Sequence, residues 1–105
     1  MPSEERYIKF SYEEIQKALA IYSVHEDMEA MPEGTLSSIK FSQDKEKDAV
    51  FVSLGAGNDL EFERKFFASA LVFFCQGEGI PLPRKGTKVL SVLEDQVIMK
   101  IEFQG

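Results

Sequence analysis

The chain has no tryptophan, one cysteine, one histidine and four prolines, and it is short of positive charge and of long apolar runs. Each shortage excludes something. A lone cysteine, Cys75, closes no disulfide within the chain and no cysteine-based zinc site. A membrane-spanning helix needs about 20 apolar residues, and the longest run here, within residues 66–76, falls short. The opening MPSEERYIKF carries charges from its fourth residue and has no apolar segment of the kind a signal peptide needs, so a cytoplasmic protein with no membrane partner is expected. Lys and Arg number 12 against 18 Asp and Glu, a net charge of −6, which disfavours non-specific contact with nucleic acid.

What is present is globular. Of 105 residues, 44% are hydrophobic and nine are Phe, enough for one core but not two. A single domain over residues 1–105 is expected.

Residues 7–10 alternate as a short strand with Ile8 and Phe10 facing in. Ser11 and Glu14 then fit a capping box, with Phe10 and Ile15 placed as its hydrophobic staple. Tyr12, Ile15, Ala18, Leu19 and Tyr22 recur at helical spacing, which predicts a helix over about residues 12–28, with Glu13, Gln16, Lys17 and Ser23 toward water. Residues 36–41 and 49–54 read as a hairpin across a charged loop. Residues 60–63 alternate again, and a second helix over about 64–76 ends on Gly77 and Gly79, suited to a left-handed cap. Residues 88–93 and 96–103 close the chain as a hairpin across the tight Glu94-Asp95 turn.

Shifting the chain by 52 residues lays Ile8 on Leu60, Phe10 on Phe62, Ile15 on Phe67, Ala18 on Ala70, Leu19 on Leu71 and Gly34-Thr35 on Gly86-Thr87. The pattern is strand–helix–strand–strand twice, a tandem βαββ repeat with halves at about 7–54 and 60–103. The expected class is α+β, two helices packed on a mostly antiparallel sheet of five to six strands. If residues 60–63 are not a strand, the alternative is a ferredoxin-like βαββαβ core with an added strand.

The chemistry-bearing residues are sparse. His25 and Glu29 lie one helical turn apart with Glu26 and Asp27 beside them, but two ligands of ordinary spacing make no metal site. Cys75 sits in an apolar helix with no cation beside it in sequence, which marks a core thiol rather than a nucleophile. Gly55-Ala56-Gly57 follows a strand, yet alternating residues and not a helix come after it, so it is no phosphate loop. No Gly-x-Ser-x-Gly elbow occurs. No catalytic, cofactor-binding or metal-binding residue is assigned, and catalysis is the less expected class.

Two surfaces remain. Arg84, Lys85 and Lys88 gather three cations after a proline-stiffened connector and are the candidate contact for an acidic protein partner. Phe66, Val72 and Phe73 lie off the apolar stripe of the second helix and are the candidate self-association face, which implies a homodimer. The expected function is therefore that of a small binding, adaptor or regulatory protein. The alternatives are a small-ligand-binding or enzyme-like domain with an apolar pocket between helices and sheet and, less favoured, RNA binding through the basic connector.

Overall fold

The computed structural model describes residues 3–28, 31–32, 34–44, 46–55, 57–82 and 86–104. Eight elements follow in order: β1 (Ser3–Ser11), α1 (Tyr12–His25), β2 (Ser38–Phe41), β3 (Ala49–Ser53), β4 (Asp59–Glu63), α2 (Arg64–Gly77), β5 (Thr87–Leu93) and β6 (Gln96–Gln104). The class is α+β. Residues 59–63 are a strand, so the element order carries both short lead-in strands. The strands divide into two three-stranded antiparallel sheets, β1-β6-β5 and β2-β3-β4. Edge strands β2 and β5 lie next to each other without a hydrogen-bonded ladder.

Alternation decides which side of each strand is covered. Phe10, Val97, Met99 and Ile101 of one sheet and Ile39, Val50 and Val52 of the other are buried, and they meet Ile15, Leu19, Phe67 and Leu71 of the two helices in one cluster. The opposite faces carry Tyr7 and Lys100 on one sheet and Lys40, Phe51 and Glu61 on the other. Ser11 does cap α1: its hydroxyl accepts from the Glu14 amide at 3.2 Å and the Glu14 carboxylate accepts from the Ser11 amide at 3.0 Å. Both helices begin and end close to where the spacing places them; α1 stops at His25, three residues before the expected end.

Some positions 52 residues apart share their local geometry. At the end of α1, Met28 N–H donates to the Ser23 carbonyl at 2.8 Å and Asp27 N–H to that of Val24 at 3.1 Å. At the end of α2, Ile80 donates to Cys75 at 2.8 Å and Gly79 to Gln76 at 3.3 Å. Both are Schellman endings, with Asp27 (φ 57°) and Gly79 (φ 73°) in the left-handed conformation that the motif requires. Gly34 and Gly86 share φ values of 135° and 132°.

The pairing crosses between halves. β1 from the first half joins the β5–β6 hairpin of the second, and β4 joins the β2–β3 hairpin of the first. Phe10 opposes Val97 and Ile8 opposes Met99; in the other sheet Phe62 opposes Val50 and Leu60 opposes Val52. The first residue of each helix reaches the hairpin loop of the other half. Tyr12 donates its hydroxyl to the Glu94 carbonyl at 2.9 Å, and Arg64 donates to the Ser42 carbonyl at 3.3 Å.

Candidate functional site

The apolar excess on α2 is met largely by α1. Phe66 stacks on Phe62 with ring centroids 5.5 Å apart and lies 5.1 Å from Tyr22. Phe73 lies 5.4 Å from Tyr22 and 4.4 Å from His25. Phe66, Val72 and Phe73 are accordingly half-buried. Glu26 beside the Tyr22 hydroxyl raises the phenol above its usual pKa, chiefly by accepting its hydrogen bond, with partial desolvation adding to the effect. At neutral pH the Tyr22 phenol is protonated, and its ring, against Phe66 and Phe73, joins the end of α1 to α2.

The most exposed apolar side chains of the helical layer are elsewhere. Ile21, Val24 and Met28 are 43%, 70% and 50% exposed. Ile21 and Val24, three residues apart, lie on one side of α1, with His25 exposed beside them, and Met28 follows the left-handed Asp27 just past the helix end. The sequence reading missed this surface because it set the water-facing side of α1 from Glu13, Gln16 and Lys17. Ser23, expected toward water, is 2% exposed, at the position matching buried Cys75. A spacing check on Ile21 and Val24 would have found this side of the helix.

Along the outer side of α2 runs an open groove of about 470 Å³, bordered by Tyr22 and His25 from α1 and by Lys88 from β5. Ala68 and Val72 supply its apolar lining, and Ser69 and Gln76 supply polar groups. A second depression continues from it past Lys65, Ala68 and Lys88 to Arg64 and Asp48. Arg64 is engaged there, with Nε 2.9 Å from Asp48 Oδ1 and its guanidinium 5.0 Å from the centre of the Phe41 ring. Lys65 and Lys88 are in no ion pair among the described residues.

The matching side of α1 is closed differently. Gln16 donates to the Gly34 carbonyl at 2.7 Å and accepts from the Leu36 amide at 3.0 Å, clamping the connector that follows α1. The residue 52 positions on is Ala68, which can make neither bond.

Of the candidate partner residues, Arg84 and Lys85 lie outside the described residues, while Lys88 is half-buried at the groove. The structure thus brings Lys88 together with Val72 and Phe73, and places Phe66 on the far side of Tyr22's ring contacts, against Phe62. Cys75 is buried, and desolvation raises its thiol pKa, with the Glu14 charge adding to it, so the thiol stays protonated near neutrality. Among the described residues, no three His, Cys, Asp or Glu side chains converge on a point where a metal ion would sit. Glu29, one of the residues considered beside His25, lies outside them. No described helix is long and apolar enough to cross a membrane.

Compared with protein-family models, with curated proteins and with solved structures, the chain has no match.

Proposed function

We propose that this protein acts by binding, as a small homodimeric adaptor or regulatory protein, and that its two halves are copies of one βαββ unit exchanged within a single domain. The observation carrying the first part is the exposed apolar surface of Ile21 and Val24 on α1 and of Met28 just past its end. An apolar strip on a helix that already buries its opposite side against the core is what a second copy would cover. Phe66 and Phe73 spend much of their ring surface on Tyr22, so the dimer contact centres on Val24 and leaves the groove beside α2 open. An acidic protein partner would be received by the cations Arg84, Lys85 and Lys88, of which Lys88 lies at the groove beside α2. A cytoplasmic setting belongs to the same proposal and fits a chain whose one thiol is unpaired.

The halves reading is supported by the matched helix endings, the matched glycine conformations and the equal register of Phe10–Val97 and Phe62–Val50. A mass measurement tests the dimer. Light scattering at tens of micromolar is expected to give twice 11.9 kDa for the native chain. Val24→Lys is expected to give a folded monomer, because a lysine on this exposed turn costs the free chain little but would be desolvated in the interface. A native monomer, or an undisturbed Val24→Lys dimer, would remove the proposal.

A further inference from the structure

We infer that the groove on the outer side of α2 binds a small aromatic carboxylate, whose charge is received by Lys65 and Lys88 and whose ring lies against Val72 and Phe73. This goes beyond the self-association reading and does not rest on it. Three observations converge. The first is charge: the chain carries −6, yet the groove holds two lysines with no ion pair among the described residues. The one acid lining the adjoining depression among the described residues, Asp48, is paired with Arg64.

The second observation is the difference between the halves. In α1 the position matching Lys65 is Glu13, and the position matching Ala68 is Gln16, which fills its space and ties down the connector. In α2 the charge is inverted and the clamp is cut back to a methyl group. Both changes fall in one groove and both suit an anion seated there. The third is the lining. Tyr22, His25 and Phe73 offer aromatic surface, with His25 and Phe73 rings tilted by 32°, and Ser69 and Gln76 offer hydrogen-bonding groups. A volume of about 470 Å³ falls within the range of roughly 300–1,000 Å³ typical of small-molecule sites. A planar ring bearing one carboxylate matches apolar walls with cations at the rim.

The test uses 2-naphthoate as the probe, titrated into the full chain at neutral pH, with 2-naphthol as an uncharged ligand of the same shape. Backbone amide shifts report the site. Naphthoate is expected to move the resonances of Val72, Phe73 and Lys88 saturably, and naphthol to bind at least several-fold more weakly. Reversing both charges, Lys65→Glu with Lys88→Glu, should weaken naphthoate by roughly tenfold or more, the sum of two exposed charge contacts each reversed. Ala68→Gln, which rebuilds the α1 side chain at a half-buried position lining the groove, should weaken it as well and does not depend on the charge-reversed chain folding. Equal affinity for naphthol, no shift at these residues, or unchanged binding by Ala68→Gln would overturn the inference. The mass of the native chain, measured in the same samples, is a separate readout, so loss of this proposal leaves the dimer standing or falling on its own.

Discussion

Gly34 is a position where one atom decides the outcome. Its φ of 135° is one that L side chains rarely adopt, and a Cβ there would stand 2.5 Å from the Leu54 carbonyl oxygen. Neither fault is relieved by a rotamer change, because the opposing atom is backbone. Gly34→Ala is expected to cost roughly 2–4 kcal/mol in chemical denaturation. The titrating groups make a second prediction at this scale. Tyr7, Tyr22, Cys75 and Lys100 all have raised pKa values, for Tyr7 through its hydrogen bond to Glu5, for Lys100 through Glu102, and for Cys75 through burial. A group with a raised folded-state pKa stabilises the fold fully below its unfolded pKa and ceases to do so as pH rises through the folded value. Stability should therefore fall on the alkaline side as the pH passes about 9, where an unfolded thiol is half ionised. Cys75→Ala should delay the onset in thermal melts across pH 8–11; an unchanged profile would mean the thiol contributes nothing. The core thiol was legible in the sequence, from the apolar residues around it. Buried Ser23 was not, since a hydroxyl reads as polar until its matching position in α2 is consulted.

The elements were legible where local chemistry specifies them. Ser11 and Glu14 marked the start of α1, and they form the reciprocal bonds their spacing implies. Alternation placed all six strands, and β1 is longer than expected because its first residues, Ser3-Glu4-Glu5-Arg6, are all polar, which the pattern does not distinguish from a loop. The end of α1 was set three residues too far because Asp27 supplies the left-handed cap, a role expected of glycine. That substitution predicts its own correction. Asp27→Gly is expected to raise stability by about 0.5–1 kcal/mol, since Gly takes φ near 57° without strain. Gly79→Asp at the matching turn should lower it by a similar amount, and a paired denaturant series would show whether the two turns are energetically alike.

At the level of the whole molecule, the sheets could not be read from the sequence. The ladder joining β1 to β6 pairs Ser3 with Gln104, nearly the full length of the chain, and nothing local names that partner. A single sheet of five to six strands was expected; two three-stranded sheets with β2 and β5 side by side are found, each made from both halves. This pairing ties the two parts of the chain together, because each sheet draws strands from both and each helix start is anchored in the other: Tyr12 on Glu94 and Arg64 on Ser42. The candidate site was legible in part. Lys88, Val72 and Phe73 were singled out for separate reasons and share a groove, whereas Ile21, Val24 and Met28 were hidden by the charges beside them on α1.

The dimer contact is tested most directly by a mixed sample of carbon-13-labelled and unlabelled chains, examined for nuclear Overhauser effects between molecules. At a concentration where the mass is doubled, methyl groups of Ile21, Val24 and Met28 are expected to show contacts to protons of the unlabelled copy. Intermolecular contacts confined to the open faces of the sheets, at Tyr7, Phe51 or Val89, would contradict a dimer built on α1.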